Sequence, residues 1–439
     1  MIMKPIFCLL LLAATTSLPG QEKQDLTGVF SIEELKQDFG VFRDALEEGH
    51  PGLYRYSTKE NMDSIFAKAA ASLTTPMKDM EFMLVVSRVA AQVGDGHLKV
   101  SPPKLHKDKL DQGQTAAPFR VYWDGGKLFV YKNYSTLADS ELLGAQIISI
   151  NGHPTADIIR DYLPITASDG SNLTNKYRML SRPRPFARCL NYLYGHTDSY
   201  QLEYLPANGT GMINSTLPAI TFDELFRLDN ERYPETAAAP LAELSIAPDN
   251  QYAYLRIATF DNEQLKSRKI DFKKFLDASF RSIEASHVDN LILDLRGNGG
   301  GTDEFGKSLF SYFTDHPFDY YKSLTMNRES FDFFKYTSMP NVKAPKGMLK
   351  ANSEGTFDNI QHANIGKQSP SSPTYSGNIF VLIDGGCFST AGECISMLHC
   401  HTNAIFIGEE SGGGYYGNCS GPSPEFKLPN TKIGIEMPL

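Results

Sequence analysis

Apolar residues in the first hundred positions recur every three or four places, and further along that rhythm gives way. "SIEELKQDFGVFRDALEEGH" (31–50), "TKENMDSIFAKAAASL" (58–73) and "PMKDMEFMLVVSRVAAQV" (76–93) each carry the helical period, so three amphipathic helices are predicted. Ser31, followed closely by acids, marks a helix start, and Gly94 marks a helix stop. Asp95 and Gly96 then read as a tight turn, and "HLKVS" alternates like a short strand. His97 therefore sits where a helix hands over to a strand, and residues 27–108 read as a helical cap with one polar tip.

Over residues 112–206 the period shortens to two. "FRVYWDGGKLFVYKNY" is a hairpin pattern, two alternating runs around Asp124-Gly125-Gly126. "LLGAQIISINGHPTADIIRDYL" reads as a Gly turn, a strand, an Asn151-Gly152 turn and a helix. Together these make a small β-rich module suited to holding a peptide or spacing domains. The polar residues 207–244 are expected to form a linker region.

From 245 to 439 strongly apolar runs alternate with amphipathic ones. "YAYLRIATF", "NLILDL", "NIFVLID" and "AIFIGEE" read as strands; "KKFLDASFRSIEA", "GTDEFGKSLFSYF" and "STAGECISMLHCH" read as helices. Such alternation predicts an α/β core with a mainly parallel sheet, whose sites form at the carboxyl ends of strands. Two Gly-rich turns fall at those ends, "RGNGGG" (296–301) and "GGCFST" (385–390).

The N-terminus adds a destination. Lys4, an apolar run from Ile6 to Ala14 and small residues after it form the pattern of a secretory signal peptide over residues 1–20, cleaved near Ser17 to Gly20. No later stretch reaches a spanning length, so an exported protein, periplasmic or extracellular, with no membrane span in the mature chain is expected. The net charge of -9 argues against nucleic acid as a partner, since phosphate binding needs a basic footprint. Of the 6 cysteines, Cys8 leaves with the signal. The rest, clustered late in a large chain, make no disulfide framework and read as buried small residues, with one bridge among the C-terminal ones left open.

Ser389 follows a predicted buried strand and Gly385-Gly386, and it begins a predicted helix. There its hydroxyl would neighbour unpaired backbone N–H groups and the positive end of the helix dipole, where charge developing on a carbonyl oxygen is stabilised. An ordinary N-cap serine is the competing reading. "LDLRGNGGG" supplies further backbone N–H groups, while its glycine spacing fits neither a P-loop nor a dinucleotide fingerprint. A nucleophilic serine needs a base. No Lys lies between Lys367 and Lys427, and His399 and His401 are about 15 Å or more away along the same predicted helix. His97 is the leading candidate and His50, in "EGHPGLY", the second. Cys394, His399, Cys400 and His401 fit no common zinc spacing and read as a packed helix.

In this order, "YAYLRIATF", "NLILDLRGNGGG", "GNIFVLIDGGCFSTAGE" and "AIFIGEESGGG" resemble the tail-specific, or C-terminal processing, serine peptidases. "HPGLYRY" and "VGDGHLKV" resemble the helical cap of their tricorn-like, His-base branch, and "LLGAQIISINGHP" resembles a degenerate PDZ-type module. The resemblance implies a multi-domain α/β fold: a helical cap, a PDZ-like module and a crotonase-like catalytic core. It implies an exported peptidase acting on unstructured polypeptide, with Ser389 as nucleophile and His97 as base. Thr390 N–H and Gly299 or Gly300 would form the oxyanion hole, and no metal or organic cofactor is implied. The Ser-Lys branch keeps its base where this chain has Gly414. Two departures stand out. Glu393 lies four residues after Ser389 and three after Thr390, which makes Thr390 a minor alternative nucleophile. The family also carries a late acid that orients the His; here the core reads as truncated at Leu439, with Asp95 or Glu436 as substitutes. A catalytically inactive peptide- or ligand-binding homologue is the alternative function, and an esterase a further one.

Overall fold

The computed structural model describes residues 28–209, 211–234, 239–338, 340 and 343–439. The signal-peptide segment and Cys8 lie outside them. No described helix is long and apolar enough to cross a membrane.

The cap opens with helix Ile32–Gly49, fixed at its start by a capping box: Ser31 Oγ accepts from the Glu34 N–H, and Glu34 Oε2 accepts from the Ser31 N–H at 2.8 Å. Helices Lys59–Ser72 and Asp79–Val93 follow, the second stopped by Gly94 in the left-handed conformation (φ 74°). Their apolar faces meet in one core through Phe39, Phe42, Phe66, Phe82 and Val86. That core also takes in Phe333 and Phe334 and, from the end of the chain, Phe426, Ile433, Ile435 and Met437. Strand Gly434–Glu436 pairs with strand Lys99–Ser101, Ile435 opposite Val100. The expected 245–439 block is thus divided. Its alternating apolar tail finds a buried face only in the cap, so the tail belongs there rather than to the core.

The β-rich module is an antiparallel sheet of strands Phe119–Asp124, Lys127–Asn133, Gln146–Ile150, Ser199–Leu205 and Ile213–Pro218. The Asn151-Gly152 turn has φ of 50° and 78°. Helices Thr155–Tyr162, Thr174–Leu180 and Pro183–Tyr194 accompany the sheet. Residues 207–244, expected as a linker, carry the strand Ile213–Pro218 and the helix Phe222–Arg232 instead. The strand sits at the sheet edge with Leu217 its one buried residue, and the helix buries only Phe222 and Leu225. Their apolar signal is too thin to read against the polar stretch around them.

The core sheet runs Ala242–Ile246, Ala253–Ile257, Asn290–Asp294, Asn378–Ile383, Ile405–Gly408 across its width, the first pair antiparallel and the rest parallel. Leu255, Leu291, Leu293 and Val381 share one face and are fully buried, while most alternate positions are half-buried; the expected burial on both faces is thereby corrected. Helices Phe272–Ala285, Asp303–Phe310 and Thr390–His401 pack against them.

Candidate active site

Strand Asn378–Ile383 ends in a turn that delivers Ser389 to the start of helix Thr390–His401. Asp384 ties this turn to the other Gly-rich turn, its Oδ1 accepting from both Gly386 N–H and Gly297 N–H at 2.9 Å. The Phe388 N–H donates to Asn298 O at 3.0 Å. Ser389 itself holds φ 55° and ψ -127°, a region that favours glycine. Its hydroxyl does not cap the helix and makes no hydrogen bond among the described residues. A strained residue of this kind persists only where the surroundings over-determine it, and such residues cluster at functional sites. The N-cap reading of Ser389 is thereby removed.

The glycine turn packs directly on this serine. A Cβ placed on Gly300 (φ 90°) would fall 2.7 Å from Ser389 Cβ and 2.9 Å from Thr390 N. Asn298 is completely buried; its Nδ2 donates to Ile257 O and its Oδ1 accepts the Gly300 N–H at 3.0 Å. Gly300, offered as a donor to an oxyanion, is therefore corrected: its N–H is already spent inside the turn. The N–H groups of Gly299 and Thr390 carry no hydrogen bond among the described residues. Thr390 Oγ1 is buried and donates to Gly301 O at 3.0 Å, so it is no free nucleophile.

The base candidate arrives from the cap. His97 lies on the turn after Gly94, and its ring stacks on Phe388, the residue before Ser389, with centroids 4.5 Å apart and planes at 30°. Gly96 permits that approach, because a Cβ there would lie 2.8 Å from the Phe388 ring. Ser389 and His97 share no hydrogen bond; catalytic bonds of this kind often tighten only when substrate binds. Asp95 Oδ1 accepts the His97 N–H at 2.9 Å and lies 3.5 Å from His97 Nδ1, which is buried and has no other partner. Burial alone would raise the Asp95 carboxyl, but hydrogen bonds from His50 and His97 win and hold it down at about 2.

Asp169, from the β-rich module, staples the site. Its Oδ1 accepts Gly96 N–H at 2.9 Å and its Oδ2 accepts Gly414 N–H at 2.8 Å, while Gly170 N–H donates to Gly94 O. Burial pushes this carboxyl up, and the amides of Gly96 and Gly414 pull against it. Cap, module and core thus meet at one point, and Gly414 stands beside the His-bearing turn. Glu436 is elsewhere, in a surface ion pair with Lys99. Glu393 is held by Tyr321 OH at 2.7 Å and Asn418 Nδ2 at 3.1 Å. His50 bonds the second oxygen of Asp95. His399 Nδ1 and Cys400 Sγ both meet the Tyr415 hydroxyl, and Cys394 is buried in the core. Neither Asp169 nor Tyr321 had a sequence signal.

Residues 251–423, which span both Gly-rich turns, match Peptidase family S41. The match covers the catalytic core, which is similar to the serine peptidases of that family. Mature CPAF complexed with lactacystin has a similar structure, with a TM-score of 0.58 at 16% identity, covering 93% of this chain and 89% of that one. Mature CPAF alone gives 0.56 at 15% identity, covering 93% and 88%. At such identities the likeness speaks for the fold alone, and it spans cap, module and core. A search of curated protein sequences returned no match.

Proposed function

We propose that this chain is an S41 peptidase that hydrolyses peptide bonds in unstructured polypeptide with Ser389 as nucleophile and His97 as general base. The observation that carries the reading is the seating of the His97 ring on Phe388, next to a strained serine whose hydroxyl is uncommitted. Ser389 Oγ attacks the carbonyl, His97 takes its proton and returns it to the leaving amine, and Asp95 steadies the imidazolium. The amides of Gly299 and Thr390 receive the oxyanion. Asp95 takes the orienting role that the sequence left between it and Glu436. The base comes from the cap, as in the tricorn-like branch, and a Lys is not needed. The antiparallel module would act as a PDZ-like holder of the polypeptide, and the leader at residues 1–20 would direct export. No metal or organic cofactor enters any step.

The lack of a Ser389–His97 hydrogen bond favours a second reading, a binding protein with a silent site. One experiment separates them: cleavage of an unstructured peptide mixture by the mature protein, beside Ser389→Ala and His97→Ala, read by mass spectrometry. Cleavage by wild type and silence of both variants supports the peptidase. Equal silence of all three, with peptide still bound, supports the binder.

A further inference from the structure

His50 was the second candidate base, and the peptidase reading leaves it without a task. It is 1% exposed and held at both ring nitrogens. The Gly52 N–H, which can only donate, points at His50 Nδ1 at 3.1 Å. Nδ1 is therefore the acceptor, and the ring proton sits on Nε2. That Nε2–H donates to Asp95 Oδ2 at 2.8 Å. The backbone is pinned as well: His50 O accepts from Asn327 Nδ2 at 3.2 Å and from the Leu53 N–H. Beside the ring, Cys419 contributes a thiol pushed up to about 12, first by burial and then by Asp95, so it adds bulk without charge.

We propose that His50 is a positioning residue of this site, a neutral donor that holds the Asp95 carboxylate in the orientation from which it steadies His97. The proposal rests on the Ser389–His97 reading. Asp95 offers its Oδ1 to His97 and its Oδ2 to His50, so rotation of the carboxylate about its own axis would break both contacts. The choice of donor follows from charge. A Lys or Arg in the place of His50 would fix Asp95 equally well but would neutralise it, removing the charge that the imidazolium of His97 needs during the reaction. A histidine whose second nitrogen is occupied by a backbone N–H supplies a directed hydrogen bond and leaves the negative charge intact. It is the same service that outer partners perform for ligating and catalytic histidines generally.

The test compares His50→Phe, which keeps the ring volume without the donor, with His50→Gln, whose amide nitrogen reaches the Nε2 position. In full-length mature protein, His50→Phe is expected to lower kcat by roughly 10- to 100-fold with KM little changed, the size of loss seen when such outer partners are removed. His50→Gln is expected to recover most of that loss. In an Asp95→Asn background, His50→Phe should cost little more, because His50 acts through the charge that is already gone. Equal losses for Phe and Gln, a loss confined to KM, or an undiminished effect in the Asp95→Asn background would overturn the proposal. Should His50→Phe fail to fold, nitrogen-15 NMR of wild-type histidines at neutral pH decides: the Nε2–H tautomer is expected, and an Nδ1–H tautomer overturns it. Activity in Ser389→Ala or His97→Ala would instead overturn the peptidase reading itself.

Discussion

The imidazole of His97 lies nearly face to face with the phenyl ring of Phe388, 4.5 Å between centroids, although 291 positions separate the two residues. Phe388 precedes Ser389 in the chain, so the ring that seats His97 belongs to the residue bonded to Ser389. The path from His97 to Ser389 therefore runs through one aromatic contact and one peptide bond.

Replacing that contact should loosen the pair. Stacked aromatic pairs contribute about 0.5–1.5 kcal/mol beyond area burial. Phe388→Leu is expected to lower kcat/KM roughly 3- to 10-fold. Gly96→Ala should cost more, because the new Cβ lands 2.8 Å from the same ring and pushes turn and ring apart. Steady-state kinetics on one peptide substrate checks both; a Gly96→Ala enzyme with normal kcat would contradict this account.

Ser389 pays for its position in backbone strain. At φ 55° and ψ -127°, glycine is at ease and serine is not. Ser389→Gly should therefore raise the stability of the protein by about 1 kcal/mol while abolishing cleavage. Denaturant melts beside activity assays test this, and a destabilised Ser389→Gly would show that the serine is not strained.

Asp95 ties stability to acid. Its folded value of about 2 lies below the ordinary carboxylate value, so the stabilisation is complete above about pH 4 and fades as the pH falls towards 2. The depression corresponds to about 2 kcal/mol. Asp95→Asn should lose that amount at neutral pH, and its deficit relative to wild type should shrink in acid. Urea unfolding of both proteins across that range measures it.

Asn298 holds the Gly-rich turn from within, serving Gly300 N–H and Ile257 O while completely buried. Asn298→Ala leaves both groups without partners, at about 1–3 kcal/mol. It should also slacken the turn that carries the Gly299 N–H. The expected result is a lower melting temperature together with a kcat that falls further than KM rises.

Much of this was legible in the chain. The cap helices declare themselves through Ser31, Glu34 and Gly94, because capping and periodicity are local physics. The core strands were equally clear from apolar runs such as "LIL" (291–293), although alternate positions along them are only half-buried rather than buried on both faces. The linker expectation failed because an edge strand with a single buried residue, Leu217, has almost no pattern to show. Elimination of nearby Lys and His residues singled out His97 as a partner for Ser389, and the family resemblance supported it; its seat on Phe388 is encoded by no spacing or period. Asp169 was invisible, since "SDGSN" reads as a plain turn and its task lies in amides 73 and 245 positions away. Nor could glycine spacing reveal that Asn298 would claim the Gly300 N–H and leave that of Gly299 open.

Strand Lys99–Ser101, which begins two residues after His97, finds its hydrogen-bonding neighbour in Gly434–Glu436. On a ribosome the His97 turn would emerge more than three hundred residues before the strand that braces its neighbour. Until that late strand arrives, the cap lacks Phe426, Ile433 and Ile435 from its interior, and strand Lys99–Ser101 lacks the strand it pairs with. Contacts so distant in sequence form slowly and late. The setting of the His97 turn thus depends on the last residues of the chain, and the cap closes only when both ends of the sequence are present.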